Sequence, residues 1–580
     1  MYISKMAVLQ PIIDLAAICY AHGIRHVVVS PGSRSAALTL AFSRHEGFEM
    51  HVVMDERSAG FIALGIAQQT GIPVVLICTS GSAAYNFAPA VSEAFFQQVP
   101  LLILTADRPK EWTHQYDGQT IYQTDIYGKH VKRAFEFASD YGNEDVIWSI
   151  NRITNDAVNI AGSVPFGPVH INVPIREPFY PSENETLIAS KDIRIIKRTE
   201  TEPVLSIDMW HELLNEWDDA GKILIVGGQQ VKSERLNQAL TKISEELDIP
   251  VIGDSIANIS GSTQFIYHHD LILANSSDHD ALRPDLLITF GLSLISKDLK
   301  GFLRKNPAIR HWHIGRDSIW TDPLKSTTRQ IPVSSEYFFE NLFEKIDYQL
   351  FVQNSDPEND SNFLGKWLSR EQKATEAVED FLINITSLND LTSVNSIISR
   401  LNFNLQLHIG NSMPIRYVNA LGKTAQIPGL FCNRGTSGID GSVSTAIGAA
   451  LVNGLPTFLI VGDVSFLYDR NGLLMYPLPS NLKIIVINNG GGNIFSVIDG
   501  PAKLPELETY FETRHGFSAR RTAEDSGIHY TGLTDLAVLE TELDGFIHRD
   551  GIGLLEIFTD SKENVRIWKE FKAIFRNVSN

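Results

Sequence analysis

Two stretches near the C-terminal end of the chain decide the fold class: TFLIVGD, residues 457–463, and KIIVINNGGG, residues 483–492. Each begins with an apolar run that predicts a strand, from Thr457 to Val461 and from Lys483 to Ile487. Strands that do not alternate polar and apolar residues are typical of parallel sheets covered by helices on both faces. The two stretches therefore predict an α/β fold.

The same pattern recurs along the rest of the chain, where helical patterns separate one apolar run from the next. It predicts further strands at His26–Val29, Pro73–Ile77, Pro100–Leu104, Lys222–Gly228 and Asp285–Gly291.

Two polar stretches, Pro181–Pro203 and Gln353–Ser361, interrupt this pattern and are typical of linkers. We therefore expect three domains, at residues 1–185, 200–350 and 362–580, each with a parallel sheet flanked by helices. The length of 580 residues suits three domains.

The charge of the chain argues against two classes of partner. There are 49 Lys and Arg against 68 Asp and Glu, a net charge of −19, which repels nucleic acid and anionic membrane surfaces. The three cysteines are far apart and lack the spacing of zinc ligands. We therefore expect a reducing, cytoplasmic location.

Two long runs, Ser58–Ser92 and Gly441–Gly462, contain no Asp, Glu, Lys or Arg. The second is as long as a membrane span, but Asn453, Gly454 and Pro456 interrupt it as a helix, a turn and a strand would. We predict that both runs are buried and form apolar walls around a site whose charged residues stand at their edges.

Oxygen-bearing side chains follow the two strands quoted first, where a parallel sheet usually binds its ligands. Asp463 and Asn489 are hard oxygen ligands, and Gly490–Gly492 allows close approach of the backbone. This combination suits Mg²⁺ that bridges to a diphosphate. Taken singly, each motif is more typical of a helix cap or a turn.

Together the two motifs resemble the signature of thiamine-diphosphate-dependent enzymes, in which Gly-Asp is followed by Asn-Asn. Here Asp463 and Asn489 are 26 residues apart, and Val464 stands where the signature commonly has Gly. The resemblance implies thiamine diphosphate and Mg²⁺ (or Mn²⁺) as cofactors. It also implies that Asp463, Asn489 and Gly491 hold the metal.

Such enzymes need a distant carboxylate that hydrogen-bonds the aminopyrimidine ring of the cofactor and promotes the tautomer that removes the thiazolium proton. Glu56 is the candidate, because it follows a predicted strand, Phe48–Met54, and precedes a helix start rich in small residues. In isolation Glu56 would be a first-turn acid favoured by the helix dipole. When Glu56 is considered together with the metal motif, the resemblance implies that Glu56 activates the cofactor.

Further motifs narrow the resemblance to the 2-succinyl-5-enolpyruvyl-6-hydroxy-3-cyclohexene-1-carboxylate synthase family of menaquinone biosynthesis. In the first domain they are SPGSRS (30–35), DERSAGF (55–61), TSGSA (79–83) and TADRP (105–109). In the third they are GNSMPIR (410–416), NRGTSGIDG (433–441), GDVSFLYD (462–469) and NNGGGNIF (488–495). The middle domain is covered thinly.

This resemblance implies decarboxylation of 2-oxoglutarate and 1,4-addition of the succinyl carbanion equivalent to isochorismate. Both substrates are dianions, which arginine binds well because its planar fork matches a carboxylate. The residues implied in catalysis and substrate contact, besides Glu56, are Ser33, Arg34, Arg108, Gln119, Lys297, Ser412, Arg416 and Arg434. Those implied in cofactor contact, besides Glu56, Asp463 and Asn489, are Ser80, Gly81, Ile439, Gly462, Val464, Ser465, Gly492, Ile494 and Phe495.

Three positions depart from the family pattern. Asp298 follows Lys297 where some members have a second base, Gly118 precedes Gln119 where some have Asn, and Arg514 stands at a Pro position. They put in question carboxylate binding by the middle domain, a hydrogen bond near Gln119 and the rigidity of the loop at Arg514.

Other functions stay open on the sequence. Val226–Gln230 resembles a dehydrogenase nucleotide turn, although a complete G-x-G-x-x-G is missing there. A related thiamine-dependent 2-oxoacid decarboxylase or acetohydroxyacid synthase, or a non-catalytic protein of the same fold, is a further alternative. The resemblance implies a homodimer or a dimer of dimers, with Glu56 and Asp463 of each active site on different chains.

Overall fold

The structure is a computed structural model of the chain. It describes residues 10–177, 180–181, 186–275, 279–316, 321–346, 363–423, 427–498 and 500–577. The predicted linker Gln353–Ser361 lies outside the described residues, as do residues 182–185 of the other predicted linker. The described residues 186–205 contain no helix or strand.

Three six-stranded parallel sheets follow one another along the chain, which confirms the predicted α/β class. In the first sheet the strand order is β2-β1-β3-β4-β6-β5. Its strands are β1 His26–Val29, β2 Glu49–Val52, β3 Val74–Cys78, β4 Leu101–Asp107, β5 Arg133–Glu136 and β6 Val169–Pro174. Its helices are Gln10–Ala21, Ala36–Ser43, Glu56–Thr70, Ser82–Asn86, Ala88–Phe96 and Glu144–Ala161.

The second sheet has the order β12-β11-β10-β7-β8-β9. Its strands are β7 Ile223–Gly227, β8 Val251–Gly253, β9 Phe265–Ile266, β10 Leu286–Phe290, β11 Arg310–Ile314 and β12 Arg329–Ile331. Its helices are Ile207–Asp218, Glu234–Leu247, His269–Asn275, Lys297–Lys305 and Ser335–Lys345.

The third sheet has the order β14-β13-β15-β16-β18-β17. Its strands are β13 Gln406–Ile409, β14 Leu430–Phe431, β15 Thr457–Gly462, β16 Leu482–Asn488, β17 His529–Leu533 and β18 Gly553–Phe558. The C-terminal helices are Phe363–Ile383, Asp390–Arg400, Met413–Leu421, Ser442–Asn453, Asp463–Asp469, Ile494–Val497, Arg520–Asp525, Leu536–Ile547 and Ser561–Ala573.

Five inner strands are buried along their whole length, as their apolar sequences predict. Every residue of β3, β4, β7, β10 and β16 is buried. Burial of apolar surface stabilises the folded state by about 25 cal/mol for each Å² taken from water. This burial fixes the strands, so the residues just beyond their carboxyl ends have defined positions.

Two helices from different domains cross in direct backbone contact. They are Glu56–Thr70, which precedes β3, and Ser442–Asn453, which precedes β15. A Cβ atom added to Gly65 would lie 2.1 Å from the carbonyl oxygen of Thr445, and one added to Gly448 would lie 2.1 Å from that of Ile62. Both helices are largely buried, so packing between the first and third domains explains why the two runs lack charge.

Among the helices that the structure describes, none is long and apolar enough to cross a membrane.

Candidate active site

The carboxyl ends of β15 and β16 bring the predicted metal ligands together. The two strands pair in parallel, with Gly462 opposite Ile487. Asp463 is 3% exposed, and its Oδ2 accepts hydrogen bonds from the amides of Gly490 (2.8 Å) and Gly491 (3.0 Å). The Asp463 carboxylate therefore fixes the glycine turn that follows β16.

Asn489 carries an unused acceptor in this turn. Its Nδ2 donates to Oδ2 of Asp390 at 2.9 Å, whereas its Oδ1 is buried without a hydrogen-bond partner. A buried carbonyl oxygen left unpaired costs about 1–3 kcal/mol. An oxygen that a protein keeps unpaired beside an aspartate is suited to a hard cation.

Asp390 adds a second acid behind Asn489, one that the sequence analysis missed. Burial raises the pKa of Asp390 to about 6, and the charge of Asp463 acts in the same direction. Its Oδ1 accepts from Thr559 (2.6 Å) and Asn564 (2.8 Å). The concentration of carboxylates around Asn489 fits a divalent cation, which would offset their repulsion.

The glycine turn approaches neighbouring backbone too closely for a side chain. Gly491 has φ +158°, and a Cβ atom there would lie 2.7 Å from the carbonyl oxygen of Glu512, which itself accepts from the amide of Gly492 at 2.7 Å. The carboxylate of Glu512 pairs with Arg514 Nε at 2.9 Å. Arg514 is therefore part of the support of the turn.

A cavity of about 270 Å³ opens at this edge of the third sheet. Eleven of the predicted site residues line it, namely Ser412, Ile439, Gly462, Asp463, Val464, Ser465, Asn489, Gly491, Gly492, Ile494 and Phe495. Apart from Gly462, none of its lining residues belongs to the charge-free runs in the part of the chain that the structure describes. Within one chain these runs therefore do not wall the cavity, contrary to the prediction.

Ile439 and Ser412 are held in the cavity wall by local geometry. The hydroxyl of Ser465 donates to the carbonyl of Ile439 at 2.5 Å. Ser412 has φ +74°, a left-handed conformation that costs a residue with a side chain about 1–3 kcal/mol. It immediately precedes the helix Met413–Leu421, so the strain fixes the entry to that helix.

A group of cations lies beside this cavity. Asn411, which lines the cavity, accepts a hydrogen bond from Arg434 at 3.0 Å, and Nε of Arg434 is buried without a partner. Burial lowers the pKa of Arg416, and Arg434 lowers it further by charge repulsion. Arg416 is anchored by the carbonyl of Ser412.

The middle domain carries two lysines, Lys297 and Lys300, and the charge of Arg434 acts on the second of them. Burial lowers the pKa of Lys300, and the charges of both Arg434 and Lys297 lower it further. Asp298 instead pairs with Lys572 at 2.8 Å. Lys300 stands three residues after Lys297 on the same helix, a spacing that places side chains on one face. That spacing was the signal available in the sequence.

All three domains hold the segment that carries Arg434. From the first domain, Glu93 accepts from the amides of Gly435 and Thr436, each at 2.7 Å, and from the Thr436 hydroxyl at 2.6 Å. From the middle domain, Ser293 donates to the Arg434 carbonyl at 3.2 Å. Gln229 and Asn258 donate to the carbonyls of Cys432 and Leu430, each at 3.0 Å.

The loops after β1, β3 and β4 bring the predicted first-domain residues together. Arg34 is 6% exposed and donates to the Ile175 carbonyl at 3.1 Å. Burial lowers its pKa, and Arg108 acts in the same direction. Asp117, which precedes Gly118, forms an ion pair with Arg108 at 2.7 Å.

Gly81 and Gln119 meet in the same group of loops. A Cβ atom on Gly81, which has φ +87°, would lie 3.3 Å from the Cα atom of Gln119. Ser80 is buried, with a hydroxyl that has no hydrogen-bond partner, whereas Ser33 is exposed. The buried hydroxyl of Ser80 therefore has a hydrogen bond to offer to a ligand.

Glu56 lies apart from the cavity of the third domain. It begins the helix Glu56–Thr70 after β2, which ends at Val52 and is shorter than predicted. Glu56 lines a separate open depression with Met54, Asp55, Arg57 and Asn86. Its neighbour Arg57 donates to the carbonyl of Tyr468 at 2.5 Å, which fastens this region to the third domain.

Two family models match the chain and define its class. Residues 14–127 match "Thiamine pyrophosphate enzyme, N-terminal TPP binding domain", and residues 196–407 match "Middle domain of thiamine pyrophosphate". The three parallel six-stranded sheets agree with these two models, and the chain is a thiamine-diphosphate-dependent enzyme.

Full-length relatives narrow the class further. Proteins named 2-succinyl-5-enolpyruvyl-6-hydroxy-3-cyclohexene-1-carboxylate synthase are similar to this chain in Cytophaga hutchinsonii (42% identity over 97% of this chain and 98% of the relative) and Flavobacterium johnsoniae (36% over 98% of each). Another, from Porphyromonas gingivalis, is 36% identical over 95% of this chain and 94% of the relative. The chain belongs to the family of these synthases.

Proposed function

We propose that this protein decarboxylates 2-oxoglutarate and adds the remaining succinyl unit to isochorismate in a 1,4 sense. The product is 2-succinyl-5-enolpyruvyl-6-hydroxy-3-cyclohexene-1-carboxylate, an intermediate of menaquinone biosynthesis. The observation that carries the proposal is the pair Arg416 and Arg434, which are hydrogen-bonded to the cavity-lining residues Ser412 and Asn411 in a chain with a charge of −19. Substrates with two carboxylates need such a group, whereas pyruvate needs fewer cations.

Thiamine diphosphate, when bound, supplies the nucleophilic carbon that accepts the 2-oxo acid and stabilises the charge left by decarboxylation. The chain itself binds and orients. Glu56 would hold a proton shared with the aminopyrimidine ring, and Ile439 would support the cofactor from the cavity wall. Arg416 and Arg434 would each bind a substrate carboxylate, and Lys297 and Lys300 would add positive charge from the middle domain.

We propose that Mg²⁺ or Mn²⁺ binds Asp463, the free Oδ1 of Asn489 and the carbonyl of Gly491. The buried, unpaired Oδ1 of Asn489 supports this ligand set. Removal of divalent cations with a chelator should abolish activity, and either ion should restore it. Asp463→Asn should weaken the affinity for Mg²⁺ at least about tenfold. The affinity is measured from the dependence of Tm on Mg²⁺ concentration in the presence of thiamine diphosphate. An unchanged Mg²⁺ response would contradict the ligand set.

We also propose a homodimer, or a dimer of dimers, in which Glu56 of one chain completes the cavity of another. The separation of Glu56 from the described lining residues of the cavity supports this arrangement. So does exposed apolar surface around Glu56, where Met54 is 62%, Tyr85 is 56% and Tyr468 is 51% exposed. Such surface is typical of protein interfaces.

The location we propose is the cytoplasm, since all three cysteines are buried and free.

The test is loss of isochorismate in the presence of 2-oxoglutarate, thiamine diphosphate and Mg²⁺. Loss of isochorismate only when 2-oxoglutarate is present would support the proposal. Activity on pyruvate alone, without isochorismate loss, would favour the alternative of a 2-oxoacid decarboxylase or acetohydroxyacid synthase.

Glu56→Gln should lower kcat by at least about 10²-fold, the scale of a lost acid–base group. Full turnover by this variant would contradict the role of Glu56.

A further inference from the structure

Three side chains that can bind metal meet at the edge of the first sheet. Glu49 and His51 are two residues apart on β2, so their side chains point to the same face. His26 opens β1 and is the direct register partner of Glu49. Within the described chain this is the one group of three His, Cys, Asp or Glu whose ligand atoms converge within 4.8 Å.

The distances between the two imidazole nitrogens and the two oxygens of the Glu49 carboxylate fit one metal ion. His26 Nδ1 lies 3.3 Å from His51 Nε2, 3.6 Å separates His26 Nδ1 from Glu49 Oε2, and 3.8 Å separates His51 Nε2 from Glu49 Oε1. With bonds of about 2.0–2.1 Å, tetrahedral zinc holds neighbouring ligand atoms roughly 3.3 Å apart. A hydrogen bond between the imidazoles accounts for the first distance alone, whereas a shared metal ion would account for all three.

The surroundings of the group suit a site that an ion enters from solvent. His51 is buried and His26 is half-buried, so two ligands are fixed by packing. The Glu49 side chain is 60% exposed and leaves a side open to water.

We propose that His26, Glu49 and His51 bind one divalent transition-metal ion of the zinc class, with water in the remaining position. This site is distinct from the magnesium site at Asp463, because it uses imidazole nitrogen and lies near the start of β1 and β2. Those ends are opposite to the carboxyl ends that carry the candidate active site. The ion would tie the edge strand β2 to β1, and β2 leads directly to Glu56.

The test uses the full chain saturated with thiamine diphosphate and Mg²⁺, which fills the site at Asp463. Titration with Co²⁺ should give the visible absorption of tetrahedral cobalt at one equivalent per chain, and Zn²⁺ should remove it by displacement. Zn²⁺ should also raise the Tm of the protein, because it binds the folded state. Wild-type protein that binds neither ion in this stoichiometry would overturn the proposal.

Variants assign the ligands. His26→Gln and Glu49→Gln should each weaken Co²⁺ binding at least about tenfold, since even loss of an outer-shell partner costs that much. Glu46→Gln is the matched control: it removes the same charge three residues away, at an exposed position outside the group, and should bind Co²⁺ like wild type. Unchanged binding by both ligand variants, with circular dichroism that confirms folding, would refute the assignment.

Discussion

Glu93 is the residue on which the position of Arg434 depends. It is 1% exposed, and burial raises its pKa, so ionising it inside the protein is costly. Three hydrogen bonds from Gly435 and Thr436 lower that cost. A buried carboxylate with three donors from one loop acts as a positioning residue for that loop.

Glu93→Gln should therefore lower stability and substrate affinity together. Glutamine offers one acceptor oxygen and turns an amide group toward a backbone N–H, which leaves a buried donor unpaired. We expect a loss of about 1–3 kcal/mol in the free energy of unfolding, measured with urea. We also expect KM for the dicarboxylate substrates to rise more than kcat falls, because Arg434 moves.

The control for this experiment is Glu46→Gln, which changes the same charge at an exposed position and should stay within about 0.5 kcal/mol of wild type. A Glu93→Gln variant with wild-type stability and KM would mean that Glu93 does not position the loop.

At the scale of elements, the crossing of the helices Glu56–Thr70 and Ser442–Asn453 depends on glycine. Gly65→Ala should cost about 3 kcal/mol in stability, because the new methyl would meet the Thr445 carbonyl, which is backbone and cannot turn aside. Gly545→Ala is a matched change in the helix Leu536–Ile547, where no atom lies within 4 Å. It should stabilise by about 0.5–1 kcal/mol. Equal effects of the two substitutions in thermal unfolding would contradict the close crossing.

The same helix pair carries a pH-sensitive cap. Asp469 is buried and accepts from the amide (2.7 Å) and the hydroxyl (2.8 Å) of Ser444 in the first turn of the helix Ser442–Asn453. Burial raises the pKa of Asp469 from 3.8 to about 7. The folded state therefore holds this proton more tightly than the unfolded state.

It follows that the contribution of Asp469 to stability is greatest below its unfolded pKa of 3.8 and is lost as pH rises toward its folded pKa of about 7. The slope is at most about 1.4 kcal/mol per pH unit. Asp469→Asn keeps the shape and removes the titration, so urea unfolding of this variant should lack that part of the decline. If the free energy of unfolding of the variant and of wild type changes with pH in parallel, the proposed contribution of Asp469 is refuted.

Apolar runs in the sequence predicted eight of the eighteen described strands, whereas partners that the fold brings together were predicted less well. The apolar runs specify β15 and β16, and the edge of a parallel sheet then brings Asp463 close to Asn489. Glu93 was missed because its role depends on contacts with a loop whose Gly435 is 342 residues away, whereas the spacing of Lys300 from Lys297 was visible in the sequence. The charge-free runs were interpreted as cavity walls because sequence gives no measure of which buried surfaces face each other.

At the scale of the whole molecule, the proposed dimer makes a quantitative prediction. A Glu56→Gln chain and an Asp463→Asn chain should each be inactive alone. If each active site takes Glu56 from one chain and Asp463 from the other, a mixed dimer has one intact site and one doubly altered site. Random mixing by co-expression should then restore about a quarter of wild-type activity per chain. Activity that stays at the level of the separate variants would indicate that each site is built within one chain.

The segment Leu430–Thr436 is hydrogen-bonded by Glu93 from the first domain and by Gln229, Asn258 and Ser293 from the middle domain, and it begins with an edge strand of the third sheet. Unfolding of any one domain would expose buried polar groups that belong to the other two. The three sheets are therefore coupled in stability as well as in position, and the chain should melt in one cooperative transition rather than domain by domain.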